Sequence, residues 1–273
     1  MIVGLDVGAY LTKAVLMEDN RIIKKSSIPT DEKAKSALKA LRILLDERLD
    51  SVRAVGISGG GSRKVKCDLL GLPTVKVDEI QAIGLGGLML SKREEALIVN
   101  AGTGTAMVAA YEAGKRIIHV GGTGVGGGTL LGLSMRMLGT CDFPEIEELA
   151  INGDPGKVDL RVSDIVGGPI GIVPSEATAS NFGRIRAEAS KEDVAAGIFN
   201  MVCQVIGVVG AMAAKAYGLS NSVVVTGGLA RSRLASEIIE DTMGLFGIEP
   251  LIPEDGEYCT AIGAARFLLK RMT

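Results

Sequence analysis

The sequence predicts a two-lobe α/β protein that holds its ligand in the cleft between the lobes. Three observations carry this. A strand, a short turn and a returning strand occur at Ile2 to Glu18, and the same pattern recurs at Ala96 to Tyr111. Each of these hairpins opens a run in which strands alternate with helices. Glycine supplies 37 of the 273 residues, clustered in short turns at strand ends, where a backbone must bend or approach a ligand closely.

In chain order, residues 2–7 and 13–18 flank the turn Gly8, Ala9 and Tyr10, and the first strand ends in an acid, Asp6. Ala34, Leu38, Leu41, Leu44 and Leu45 recur at helical spacing within 30–50. Residues 52–57 read as a strand running into Ser58-Gly59-Gly60-Gly61, and 72–77 as another, followed by a helix over 78–91. The second half opens with strands at 96–100 and 106–111 around Gly102 to Thr105. The glycine-rich segment 119–129 then leads into a helix over 130–138. Helices are expected at 143–152 and 158–166, with an irregular stretch at 167–183 that contains Pro169 and Pro174. A long helix over 191–217, a strand at 222–226, a helix at 232–245, a strand at 249–252 and a closing helix at 259–271 complete the chain. The expected lobes are 1–92 and 93–273.

Composition narrows the function classes. Thirty basic against 32 acidic residues give a formal net charge of −2, with no dense Lys/Arg stripe to neutralise a row of phosphates. Aromatics are 3% with no Trp, which removes the stacking platforms of single-strand binders, so no nucleic-acid partner is expected. Cysteines 67, 141, 203 and 259 are widely spaced and form no CxxC pair, which fits a reducing compartment. The N-terminus lacks the basic and apolar regions of a secretory signal, and a cytoplasmic location is expected. The apolar run 198–214 is broken by Asn200 and Gln204, so it reads as a buried core helix and no membrane partner is expected.

The chemistry sits in the turns. Gly4-Leu5-Asp6-Val7-Gly8 puts a carboxylate at a strand end beside a glycine amide, with Lys13 near as a compact cation. GTGT at 102–105, GVGGGT at 124–129 and TGG at 226–228 are further strand-end glycine turns, and together they favour a nucleotide cleft. The segment 119–129 is neither a P-loop nor a Rossmann fingerprint. A glycine loop that enters a helix nevertheless offers amides and a dipole end to an anion.

In their order, GLDVGAYLTKAVL, ISGGG, KVDEIQA, VNAGTGTAM, HVGGTGVGGGTLLGL, NGDPGKVDLRVSDIVGG, ATASNFG, IGVVGAMAAKAYGLS, VVVTGG and EDGEYCTAIGAA resemble the type II pantothenate kinases over nearly the whole chain. That group belongs to the acetate and sugar kinase, Hsc70 and actin superfamily. The resemblance implies the actin-like fold, a duplicated pair of ribonuclease H-like lobes, and transfer of phosphate from ATP to the primary hydroxyl of pantothenate, the first step of coenzyme A synthesis. It further implies Mg²⁺ and a homodimer. Asp6 and the turn Gly8, Ala9, Tyr10, Leu11, Thr12 and Lys13 would face the ATP phosphates, with Asp6 holding the metal. Thr103, Gly104 and the loop Gly126, Gly127, Gly128, Thr129 and Leu130 would cradle the nucleotide, with Gly227 and Gly228 by the adenosine.

Within KVDEIQA the family's general base matches Glu79, with Asp78 as its close rival. Thr105, His119 and Tyr258 would meet the acceptor, Tyr258 from a position near the pantothenate pocket and the dimer interface. Three positions depart from the family: His119 stands where an Arg is usual, Ala106 where relatives offer a hydroxyl, and Ala9-Tyr10 where Gly-Thr is common. These departures bear on the acceptor, which leaves pantetheine open beside pantothenate. The same superfamily also holds ATP-driven activators of 2-hydroxyacyl-CoA dehydratases, sugar kinases and nonenzymatic ATP sensors. A paired-Cys iron–sulfur site would mark the first of these and a Cys/His zinc site often marks the second.

Overall fold

The computed structural model describes the chain apart from residues 46–48, 66, 67, 185–187 and 273, which leaves Cys67 outside the described residues. The first half runs β1 (Ile2–Val7), β2 (Leu11–Glu18), β3 (Arg21–Pro29), α1 (Lys33–Leu45), β4 (Ala54–Ser58), β5 (Asp68–Leu69), β6 (Leu72–Lys76) and α2 (Glu79–Ser91). There follow β7 (Ala96–Ala101), β8 (Thr105–Tyr111), β9 (Arg116–Thr123), α3 (Gly127–Met137), α4 (Phe143–Ile151), β10 (Leu160–Arg161), α5 (Val162–Val166) and β11 (Thr178–Ser180). The chain closes with α6 (Lys191–Ala216), β12 (Val223–Thr226), α7 (Arg233–Gly244) and α8 (Cys259–Met272).

Two sheets carry the duplication, with strand orders β3-β2-β1-β4-β6-β5 and β12-β7-β8-β9. In each, the leading strand pairs antiparallel with the returning arm of its hairpin and parallel with a later strand: β1 with β2 and β4, β7 with β8 and β12. β1 and β2 are buried on both faces and therefore read as almost unbroken apolar runs. One face of the first sheet packs on α1, whose Ala37, Ala40, Leu41 and Leu44 form a single stripe. The other face packs on α8, so the last helix of the chain completes the first lobe. In the second lobe one face packs on α6 and the other on α2.

α2 and α8 thus lie between the sheets, in contact with each other. A Cβ on Gly263 would lie 1.7 Å from the Ala82 carbonyl oxygen and 2.8 Å from the Gly86 nitrogen. Helix propensity alone would make Gly263→Ala stabilising by about 1 kcal/mol. The clash is with backbone that cannot give way, so we expect the variant to be destabilised by about 3 kcal/mol, seen as a lower denaturant midpoint.

Several expectations are corrected by tertiary context. β3, absent from the expected elements, is an edge strand that exposes Arg21, Ile23, Lys25 and Ser27, a mixed face without clean alternation of polar and apolar residues. Residues 116–123 are strand, so the glycine loop shrinks to 124–126 and α3 begins at Gly127, three residues earlier than its first apolar residue. The helix expected over 158–166 keeps only 162–166, and the strand expected over 249–252 is a single bridge from Leu251 to Val224.

α6 is long and apolar enough to cross a membrane, and 67% of its most apolar window is buried inside the protein. A capping box of Ser190 and Asp193 starts it. Asn200 and Gln204, the residues that break its apolar run, donate to Thr178 Oγ1 at 3.0 and 3.1 Å, and Asn200 also donates to the buried Asp159 carboxylate at 2.7 Å. These polar side chains pin β11 to the core helix.

Candidate active site

A cavity of about 910 Å³ opens where the strand-end turns of both lobes meet. Asp6, next to last in β1, stands opposite Lys13 of β2 and Ser58 of β4. The turn between the first two strands is closed by Gly8 N donating to Leu11 O at 3.0 Å, and Gly8, Ala9, Tyr10 and Leu11 line the cavity. Burial pushes the Asp6 carboxyl up to about 6; Lys13 opposes the rise and Glu79 adds to it. Lys13 is buried, its ammonium donating to Glu257 O at 3.0 Å and lying 3.4 Å from Glu257 Oε2. Glu257 Oε1 in turn lies 3.6 Å from Arg231 Nε, so one carboxylate joins β2 to the turn after β12.

The start of α2 separates the two rival acids. Asp78 is the N-cap, and its Oδ1 accepts from Ile80 N and Gln81 N at 3.0 and 3.1 Å, so its carboxylate is spent on the helix end. Glu79, the next residue, lines the cavity instead. Burial among the cavity walls raises its pKa and the Asp78 carboxylate adds to the rise, although the side chain is open to the cavity itself. A carboxylate raised in this way and facing a cleft is a stronger base than a free one and is suited to accept a proton from a bound hydroxyl.

On the second lobe, Thr103 and Gly104 at the β7–β8 turn line the cavity with Gly127, Gly128, Gly227 and Gly228. Gly227 has φ of +96°, and a Cβ there would lie 2.4 Å from Ala101 O, so only glycine fits this turn. The amides at the α3 start are not the open anion site that sequence suggests. Gly127 N donates to Gly102 O and Gly128 N to Thr103 O, both at 2.8 Å, and Gly126 N donates to Thr129 Oγ1 at 3.2 Å. The glycines here let two loops lock together.

Gly126 and four further residues expected at the ligand lie outside the cavity wall. Thr12 is fully buried, its Oγ1 sharing a hydrogen bond with Thr30 Oγ1 at 2.8 Å. Leu130 is fully buried in the second-lobe core, and Thr129 Oγ1 donates to Gly124 O at 3.0 Å. Tyr258 packs against the core between the first sheet and α8, with the Lys25 ammonium 5.6 Å from its ring centre. On the acceptor side, exposed His119 of β9 and Ala106 do line the cavity. Thr105 lines it too, but is nearly buried and its hydroxyl donates to Val125 O at 2.9 Å.

Glu257, Arg231, Asn100 and Glu147 also line the cavity and escaped the sequence reading. Each is an ordinary polar residue in its local sequence, brought to the site by contacts over long chain separations, such as Thr226 Oγ1 donating to Asn100 Oδ1 at 3.0 Å. Glu257 and Asn100 left a trace, since they lie in the stretches EDGEYCTAIGAA and VNAGTGTAM.

Comparison with known proteins supports the fold and the family. The activator of 2-hydroxyisocaproyl-CoA dehydratase from Clostridium difficile, solved with bound ADPNP, has a TM-score of 0.70 at 17% identity, covering 99% of this chain and 94% of its own. A ROK family glucokinase from Streptomyces griseus, solved with glucose and AMPPNP, has a TM-score of 0.61 at 16% identity, covering 97% and 98%. The fold is therefore the two-lobe actin-like one. Type II pantothenate kinase of Staphylococcus epidermidis is 28% identical over 275 residues, 97% of this chain and 99% of that one. The enzyme of the same description from Bacillus cereus is 26% identical over 96% of each chain. Residues 94–265 match the Fumble family, and the chain belongs to that family.

Proposed function

We propose that this protein is an ATP-dependent kinase that phosphorylates the primary hydroxyl of pantothenate, the entry step of coenzyme A synthesis, as a cytoplasmic homodimer. Its lobes would be 1–92 and 93–273, with α8 crossing back onto the first. The observation that carries the reading is that Asp6 and Glu79, both raised in pKa, share one cavity with the glycine turns of both lobes, in a chain whose full-length relatives are described as type II pantothenate kinases.

In the transfer, the acceptor hydroxyl oxygen bonds to the γ-phosphorus, the bond from that phosphorus to the β,γ-bridging oxygen breaks, and the hydroxyl proton goes to Glu79. Lys13 stabilises phosphate charge from the floor, held in place by Glu257. The residues fit Mg²⁺. Asp6 is a carboxylate whose ionised form is disfavoured by burial and by Glu79, so a cation would be its natural partner. Among the described residues no group of three or more His, Cys, Asp or Glu could hold an ion, so phosphate and water oxygens would supply the remaining ligands, as Mg²⁺ prefers. Once bound, Mg²⁺ would neutralise developing charge on the phosphate oxygens.

The test is release of ADP in the presence of pantothenate, pantetheine or glucose. Turnover with pantothenate is expected; turnover with glucose alone would overturn the acceptor. His119 supports a further prediction. Guanidinium clamps a carboxylate with two parallel hydrogen bonds, which an imidazole cannot do. His119→Arg should lower the KM for pantothenate by about 10-fold and leave that for uncharged pantetheine unchanged. Equal changes for both would show that position 119 does not meet the carboxylate.

The TM-score of 0.70 to an activator favours a second reading, an ATP-driven activator. Such proteins hold an iron–sulfur cluster through thiolates. Of the described cysteines Cys141 is exposed, while burial pushes Cys203 and Cys259 up to about 12, so neither of these two readily becomes a thiolate. Iron that copurifies in stoichiometric amount would support this second reading.

A further inference from the structure

We propose that Glu147 of α4 reads the ribose hydroxyls of the nucleotide and thereby sets a preference for ribonucleotides over deoxyribonucleotides; this rests on the nucleotide reading of the cavity. Four acids line the cavity, and Asp6, Glu79 and Glu257 are accounted for at the phosphate and acceptor side. The fourth, Glu147, lines the cavity together with Leu131, Phe143, Pro144 and Leu229, an apolar wall built by α3, α4 and the turn after β12. That wall suits the faces of a base. It is braced from behind, since Phe143 packs edge-on against Phe199 of the core helix at 5.8 Å between ring centres. Glu147 lies four residues, about one helical turn, beyond Phe143 on the same face of α4, which sets its carboxylate beside the apolar wall.

The carboxylate is fixed and half satisfied. Ser232 is buried at the N-cap of α7, where its Oγ accepts from Ala235 N at 2.9 Å. Its hydroxyl hydrogen is left to donate to Glu147 Oε1, at 2.5 Å. Oε2 of Glu147 has no hydrogen-bond donor among the described residues. An ionised carboxylate can only accept, so its partner must be a donor and cannot be a phosphate. A vicinal diol is an uncharged donor of this kind. The same charge helps to orient the ligand, since it repels phosphates whereas Lys13 attracts them.

The plain alternative is that Glu147 only ties α4 to α7 through Ser232. Calorimetric titration with ADP, 2′-deoxyADP, 3′-deoxyADP and IDP separates the two without need of an acceptor. For the wild type we expect ADP to bind about 10- to 100-fold more tightly than at least one deoxynucleotide, the range of a hydrogen bond to a charged group. Glu147→Ala should lose that factor on ADP, with affinity for that deoxynucleotide unchanged. Glu147→Gln, which keeps an oxygen for Ser232, should show whether an altered wall contributes; it should bind the deoxynucleotide like the wild type. Equal weakening of ADP and deoxyADP in Glu147→Ala, or no discrimination by the wild type, overturns the proposal. Loss of discrimination between ADP and IDP instead would assign Glu147 to the base amino group and overturn it too. A wild type that binds no ADP would overturn the nucleotide reading itself.

Discussion

Glu79→Gln should bind ADP as the wild type does and lose turnover by about 10²- to 10⁴-fold, the range for removal of a general base. The amide keeps the size and the cavity position of the side chain, but cannot take the hydroxyl proton. Asp78→Asn is the informative control. Asp78 spends its carboxylate on the amides of Ile80 and Gln81, and Asn is an equally good cap, so the change should leave turnover within a few-fold. Measured side by side, nearly full activity in Glu79→Gln with a large loss in Asp78→Asn would reverse the assignment. Because the pKa of Glu79 is raised, the activity of the wild type should fall as pH drops and the carboxylate protonates.

Asp6→Asn should lower Mg²⁺-dependent turnover by about 10²-fold or more while the fold stays intact or gains stability. The sign follows from linkage. The folded protein keeps the Asp6 proton up to about pH 6, whereas a free carboxyl releases it near 3.8. Between those values the folded state binds more protons than the unfolded one, so the contribution of Asp6 to stability is present below about pH 4, declines as pH rises to about 6 and is lost above it. A shift of roughly two units corresponds to at most about 3 kcal/mol, less whatever relaxation and water recover. Asn carries no charge to desolvate. At pH 8 the variant should therefore melt at the same temperature as the wild type or several degrees higher, and the difference should vanish near pH 4. A variant that melts well below the wild type at pH 8 while keeping full turnover would make Asp6 a structural residue.

The two acids illustrate how far sequence reading reaches. Local pattern determined most of the elements, because strands buried on both faces and helices with one apolar stripe write their period directly into the chain: IVGLDV, the stripe of α1 and the run of α6 were legible for this reason. The duplicated hairpins, with Asp6 at the end of the first, were legible too, since a turn is set by neighbours in sequence. A helix cap is equally local, yet the sequence left Asp78 and Glu79 as rivals. Only the direction of α2 relative to the cleft sends one to the backbone and the other to the cavity.

What tertiary structure alone decided are the contacts made over long separations. β3 is recognisable only as the partner of β2, because polar and apolar residues are mixed on both of its faces and it has little pattern of its own. The amides of Gly127 and Gly128 look available in sequence and are consumed by carbonyls of the 102–103 turn, some 25 residues earlier. Lys13 meets Glu257 across 244 residues, and Ser232 meets Glu147 across 85. The rise of the Asp6 pKa to about 6 depends on burial and on Glu79, which lies 73 residues away in the chain. Desolvation and through-space charge are summed over neighbours in space, and one-dimensional order does not record which neighbours those will be.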